Sequence, residues 1–137
     1  MATTITVTAL VSASPESVWK MWTSPEHIMQ WNNASDDWHS PKAENDLREG
    51  GRFTTRMEAK DGSMGFDFEG TYDTVIPNEH IAYTLDDGRK VTINFSPKDN
   101  GAYIVETFEA ESQNPEDMQK MGWQAILDNF KKYVESR

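Results

Sequence analysis

The sequence predicts an α+β fold, with a curved antiparallel sheet of about six or seven strands lying against one long C-terminal helix. Two short helices are expected after the first strand. The first observation is a triplet of Ser or Asn, Pro and Glu, which begins at Ser14, Ser24 and Asn114. Each triplet is typical of a helix start, because the polar side chain can accept from a free backbone N–H and proline fits the first helical position. The second observation is the long stretch between the last two triplets, where short alternating runs are separated by turn residues.

The N-terminal region predicts the order strand, helix, helix. Residues 3–11 are rich in Thr, Ile and Val, which favour strands. The next two segments place apolar residues at helical spacing: Val18, Met21 and Trp22 in the first, and Ile28, Met29 and Trp31 in the second. Residues 32–47 are polar, so a loop is predicted there, with a short strand near Lys42–Asp46.

The middle of the chain predicts a meander of strands that opens after Gly50-Gly51. Its strands are separated by the turn signals Asp61-Gly62, Pro77-Asn78, Asp86-Asp87-Gly88 and Pro97–Gly101. The predicted strand segments are Arg52–Lys60, Gly65–Ile76, Ile81–Leu85, Val91–Phe95 and Tyr103–Ala110. In the first two, one face carries the residues Phe53, Thr55, Met57, Phe66, Phe68 and Tyr72. In Tyr103–Ala110 both faces carry apolar residues, so the sequence does not decide which face of this strand points inward.

The segment Pro115–Glu135 predicts the long helix that covers the sheet. Its broad apolar face comprises Met118, Met121, Trp123, Ile126, Leu127, Phe130, Tyr133 and Val134. Gly122 within this helix indicates either a close approach to a strand or ligand, or simple tolerance. Since no linker or repeat interrupts the chain, we expect residues 1–137 to form a single domain.

The composition of the chain argues against several classes of function. The net charge of −10 disfavours nucleic acid and anionic membranes as partners, because both repel an acidic surface. The chain has no cysteine, which fits a reducing compartment, and no apolar leader is visible, so we expect a cytoplasmic monomer. Three scattered histidines without cysteine give no metal-ligand spacing, and we expect neither a metal nor a cofactor.

Aromatic residues are the main candidates for a binding site. Several of them could line a cavity between sheet and helix, namely Trp31, Trp38, Phe53, Phe66, Phe68, Tyr83 and Trp123. The alternative is an ordinary close-packed core. Asp37 and His39 in the loop 32–40 suggest acid–base chemistry, but solvation is the simpler interpretation. No catalytic residue is assigned.

Motifs along the whole chain resemble one known superfamily. They are Val18-Trp19, Trp22-Thr23-Ser24-Pro25-Glu26 with Trp31, Gly50-Gly51-x-Phe53, Asp61-Gly62, Phe68-x-Gly70-x-Tyr72, Pro77-x-Glu79-x-Ile81-x-Tyr83-Thr84 and Gly122-Trp123. This set is similar to that of the START-like, birch-pollen-allergen-like (SRPBCC) superfamily. Within it, the chain resembles the branch of the C-terminal part of the activator of the heat-shock-protein-90 ATPase. The resemblance implies a helix-grip fold with a cavity beneath the long helix.

The resemblance also implies a site and a set of functions. Combined with the strand faces, it suggests a pocket lined by Trp31, Phe53, Met57, Phe66, Phe68, Tyr83, Ile93, Trp123 and Leu127. The leading hypothesis is non-enzymatic binding of a small hydrophobic molecule, such as a lipid, polyketide or flavonoid-like compound. A second is co-chaperone-like binding to a heat-shock ATPase. A third is a cyclase or hydrolase that uses His39, Asp37 or Tyr83 as acid–base groups.

Overall fold

A computed structural model describes residues 3–137, which form seven strands and three helices. In chain order they are β1 (Thr4–Val11), α1 (Pro15–Thr23), α2 (Pro25–Trp31), β2 (Trp38–Asn45), β3 (Arg52–Ala59), β4 (Gly65–Ile76), β5 (His80–Leu85), β6 (Lys90–Lys98), β7 (Gly101–Glu109) and α3 (Glu116–Glu135). The strands make one antiparallel sheet in the order β1-β7-β6-β5-β4-β3-β2. The predicted fold class and its order of elements are confirmed.

The three Pro-containing triplets lie at the three helix starts, but their side chains do not act alike. Only Ser14 forms the expected cap, since its Oγ accepts from the Ser17 N–H at 3.2 Å. Ser24 lies between α1 and α2, and among residues 3–137 its side chain makes no capping bond. α3 begins one residue later than predicted, with Pro115 in the capping position, and the Asn114 amide donates to Glu111 instead.

β2 is longer than the sequence suggested. The strand was expected near Lys42–Asp46 within a polar loop, but it begins at Trp38. Its pairing with β3 is interrupted by a shift in register between His39 and Lys42, around Pro41. A polar strand with proline is typical of a sheet edge, where only one side of the backbone needs a partner. Composition alone therefore made this strand look like loop.

The inward face of β7 is decided by the structure. Ala102, Ile104, Glu106 and Phe108 are buried, whereas the residues between them are partly exposed. This face packs beneath the helices with the inward residues of β1 and β6. A carboxyl group therefore stands on the apolar face of the strand.

α3 lies against β1 and the two short helices, although its apolar face is narrower than predicted. Leu127, Phe130 and Val134 are buried, but Met118 and Met121 are exposed to 60% and 71%. The Phe130 ring packs edge-on against Trp22 and Trp31, with ring centroids 4.8 Å apart in both pairs. The Asn129 amide donates to the Trp31 carbonyl at 2.7 Å. These contacts position α2 and α3 at one end of the sheet.

Gly122 does not mark a close approach. A Cβ atom placed there would meet no atom of residues 3–137 within 4 Å outside its own helical surroundings. The interpretation as a contact point is therefore wrong, and the simpler one, tolerance of glycine, stands. Gly70 differs, because a Cβ there would lie 2.5 Å from the Thr84 carbonyl oxygen on the neighbouring strand.

Candidate functional site: an aromatic cavity beneath the long helix

A cavity of about 370 Å³ lies between the inward faces of β3, β4 and β5 and the three helices. Aromatic rings form much of its wall: Trp22, Trp31, Phe53, Phe66, Phe68, Tyr72, Tyr83 and Trp123. Ile28, Met57, Ile81 and Ile126 add aliphatic surface. A largely apolar lining of this kind suits the apolar body of a small organic molecule.

Contacts between aromatic rings position the walls of the cavity. Phe53 meets Tyr83 edge-on at 4.7 Å between centroids, and Phe68 meets Trp123 edge-on at 6.0 Å. Trp123 is itself fixed by stacking on Phe108, at 3.9 Å and an angle of 9°. Edge-to-face and stacked pairs of this kind are favourable ring geometries, so they orient the rings of the cavity wall.

Of the ten residues proposed from the sequence, a majority line this cavity. They are Trp31, Phe53, Met57, Phe66, Phe68, Tyr83 and Trp123. Phe66 is 48% exposed, so it lies at the mouth. Contact of these side chains with a ligand stays a prediction.

The other three proposed residues lie elsewhere. Ile93 and Leu127 are fully buried and pack in the core away from the cavity wall. Trp38 packs against Phe66 at 6.1 Å between centroids, outside the lining. Ile93 lies between two cavity residues, Ile81 on β5 and Glu106 on β7, but does not itself line the cavity.

Several cavity residues are absent from the proposed set, and Glu106 is the one with the most unusual environment. Only 6% of it is exposed, it lines the cavity, and no side chain or backbone group of residues 3–137 donates a hydrogen bond to its carboxyl. Burial raises the pKa of Glu106 to about 8. Its position between Ile104 and Phe108, with the same parity, was a usable signal, because an acid among core residues points to the interior.

Two tyrosines on the cavity wall differ in how their hydroxyls are satisfied. Tyr72 and Tyr83 are partners across β4 and β5. The Tyr72 hydroxyl donates to Asn45 Oδ1 at 2.6 Å, and the Asn45 amide donates to the Thr23 carbonyl. Within residues 3–137 the Tyr83 hydroxyl makes no side-chain hydrogen bond of this kind. Burial raises the pKa of Tyr83 well above its ordinary value, the charges of Glu106 and Tyr72 add to the increase, and the charge of Arg89 opposes it.

The segment between β7 and α3 closes one end of the cavity through a network of hydrogen bonds. The Gln119 amide donates to the Glu111 and Asn114 carbonyls at 3.0 and 2.8 Å, and its Oε1 accepts from the Glu111 N–H. Burial acts to raise the pKa of Glu111, but hydrogen bonds from Asn114 and Gln113 outweigh it, with help from the Arg89 charge, and the pKa is lowered. Arg89 also lines the cavity, and its Nε donates to Asp87 at 2.8 Å.

The proposed acid–base residues are not brought together. His39 lies outside the cavity lining, with its Nε2 3.8 Å from Glu58, and Asp37 accepts from the Ser35 hydroxyl in the exposed turn before β2. Only Tyr83 of the three faces the cavity. In the described part of the chain, no three His, Cys, Asp or Glu side chains cluster as metal ligands would. Residues 3–137 also contain no helix with the length and hydropathy needed to cross a membrane.

A match to a family model shows to which protein family the chain belongs. Residues 12–135 match the AHSA1 model, described as activator of Hsp90 ATPase homolog 1-like protein. The chain belongs to this family. The resemblance inferred from the sequence motifs is therefore confirmed, and with it the helix-grip arrangement of sheet and helix. Comparison with curated proteins found no significant match.

Solved structures of similar proteins have the same fold. The solution structure of an AHSA1-like protein from Aeromonas hydrophila is 44% identical, with a TM-score of 0.92 over 98% of this chain and 93% of that one. A protein of Cytophaga hutchinsonii is 53% identical, with a TM-score of 0.81 over 98% and 92%. A crystal structure from Chromobacterium violaceum is 28% identical, with a TM-score of 0.87 over 97% and 98%.

Proposed function

We propose that this AHSA1-like protein binds a small hydrophobic molecule in the cavity beneath α3, without catalysing its conversion. The observation that carries the proposal is the cavity itself, which is bounded by aromatic rings and has an exposed ring, Phe66, at its mouth. Transfer of apolar surface from water into such a space is favourable by about 25 cal/mol per Å². The lining therefore supplies the affinity, and the few polar groups would set the orientation.

The proposal is tested by NMR titration with a panel of a fatty acid, a flavonoid and a polyketide. We expect chemical-shift changes at the methyl and ring signals of Met57, Phe68 and Trp123, which line the cavity. A panel that leaves these signals unmoved at millimolar concentration contradicts the proposal.

A matched pair of variants separates cavity binding from surface binding. Ile126→Trp introduces a large ring on the cavity side of α3 and should abolish the shifts by filling the space. Met121→Trp introduces the same ring on the exposed side of the same helix and should leave them unchanged. Equal loss in both variants would mean that the helix, not the cavity, is the binding surface.

A second candidate is binding to a heat-shock ATPase in the manner of a co-chaperone. The family description, which names the activator of the Hsp90 ATPase, supports it. Stimulation of ATP turnover by a purified Hsp90-type ATPase from a bacterial source tests this candidate. Unchanged turnover at a large excess of this protein would count against it, whatever the outcome of the ligand titration.

A further inference from the structure

Glu106 lines the proposed ligand cavity, with 6% of its surface exposed, and its carboxyl makes no side-chain hydrogen bond within residues 3–137. A buried polar group usually has a hydrogen-bond partner, and a charged one is costly unless it is paired. The contrast with Glu111 is direct, because Glu111 lines the same cavity but accepts from the backbone of Asn114 and Gln113. The groups that can pair with Glu106 are therefore those that enter the cavity, whether water or the polar group of a ligand.

The surroundings of Glu106 favour a cation as that partner. The rings of Tyr83 and Trp123 line the cavity with Glu106. Phe108, two residues after Glu106 on the same face of β7, stacks on Trp123, and the register of β5, β6 and β7 places Tyr83 in the row of Phe108, next to the row of Glu106. Aromatic faces attract organic ammonium groups, most strongly where water is excluded. The net charge of −10 also draws cations toward the molecule.

The other ionisable groups that line the cavity are Tyr72, Tyr83, Arg89 and Glu111. Arg89 is the one cation among the lining residues from the described part of the chain, and its charge is offset by Asp87, bonded at Nε, and by nearby Glu111. Tyr72 is engaged with Asn45. The Glu106 carboxyl is therefore the acceptor that is left for a ligand.

We propose that Glu106 and the aromatic rings near it form a binding site for the ammonium group of an amphiphilic amine, whose apolar body occupies the rest of the cavity. The inference rests on the proposed binding function and specifies its ligand class. Binding requires the ionised carboxylate, so each amine bound at neutral pH releases one proton from Glu106 to solvent. The Tyr83 hydroxyl accepts a second hydrogen bond from the ammonium group.

Three probes of one shape test the inference by calorimetry: 4-phenylbutylamine, 4-phenylbutanol and 4-phenylbutyrate. We expect the amine to bind about tenfold or more tighter than the alcohol at pH 8, because hydrogen bonds to charged groups are the stronger ones. The amine affinity should rise about 50-fold between pH 6 and pH 8, as the ionised fraction of Glu106 rises, with proton release visible in buffers of different ionisation enthalpy. The alcohol affinity should not rise with pH.

The variants Glu106→Gln and Glu109→Gln remove the same charge from inward and outward positions of β7. Glu106→Gln should abolish the preference for the amine and its pH dependence while keeping the alcohol affinity within about twofold, which also reports that the variant is folded. Glu109→Gln should keep the preference.

The outcomes distinguish failure of the amine site from failure of the proposed ligand binding. If the alcohol binds as tightly as the amine, or Glu106→Gln retains the amine preference, the amine site is refuted while cavity binding stands. Tightest binding of 4-phenylbutyrate would make Arg89 the anchor and also refute the amine site. If none of the probes binds, both the inference and the proposed function are overturned.

Discussion

The two halves of the sheet are packed against the helices in different ways. In the closed half, formed by β1, β7 and β6, the inward residues Val7, Ile104 and Ile93 are 0–1% exposed. In the open half, formed by β3, β4 and β5, inward rings surround the cavity, and exposure reaches 48% at Phe66. Side chains of the closed half interdigitate and fill the space, whereas the open half leaves the cavity between its strands and the helices. Glu106 is the one acid on the inward face of the closed half, at its border with the cavity.

The largest test of this contrast removes a ring from the closed packing. Phe130→Ala should lower the free energy of unfolding by about 3–5 kcal/mol, because the ring is fully buried between Trp22 and Trp31. Phe68→Ala, in the open half, should cost clearly less, since one side of its ring already faces the cavity. Chemical denaturation measures both, and equal losses would mean that the filled core around Phe130 of α3 and the cavity wall at Phe68 are packed alike.

The next test uses the pH dependence of stability. The unfolded chain loses the Glu106 proton near pH 4.5, and the folded chain keeps it to about pH 8. Between these values the unfolded state binds fewer protons, so stability should fall as pH rises, by at most about 1.4 kcal/mol per pH unit from this group. Glu106→Gln should flatten the slope and Glu109→Gln should not. A slope that is identical in wild type and Glu106→Gln would show that the carboxyl is hydrated.

Substitution of Tyr72 and Tyr83 tests which hydroxyl on the cavity wall has a hydrogen-bond partner in the protein. Tyr72→Phe should cost about 1–3 kcal/mol, because it leaves Asn45 without its donor. Tyr83→Phe should be close to neutral for stability. Thermal denaturation of the two variants measures the difference, and the reverse order would contradict the hydrogen-bonding pattern of the wall.

The smallest expected effect is an increase in the free energy of unfolding. Gly122→Ala should raise the free energy of unfolding by about 0.5–1 kcal/mol, since the added methyl group enters open space and alanine is the better helix former. Urea denaturation measures it. A loss of stability would place α3 nearer to the sheet at this point than the structure has it.

Much of the architecture could be predicted because local sequence patterns determine where its helices begin and its strands turn. Proline triplets mark the helix starts to within one residue, and turn residues such as Asn78 and Gly88, both with positive φ, separate the strands. Local patterns fail where tertiary context decides. β2 is polar because it is an edge strand, and Met118 and Met121 face solvent although their spacing fits the apolar face.

The wall of the cavity could be predicted in part, because aromatic residues alternate along β3 and β4. The boundary between filled core and cavity could not, since Ile93 and Leu127 have the same pattern as the lining residues but pack in the filled core. That boundary depends on how far α3 stands from each strand, and spacing along the chain does not contain this distance. Glu106 was accessible in principle, once one face of β7 was chosen.

The interrupted edge strand has a consequence for how molecules of this protein meet one another. An open sheet ends in a row of backbone donors and acceptors to which a strand of another copy can add. At the β2 edge, Pro41 lacks an N–H, the backbone changes register beside it, and exposed Lys42 repels a second copy of itself. This edge is therefore a poor template for the addition of a strand from another molecule, although the cavity on the inward face of the same sheet stays accessible.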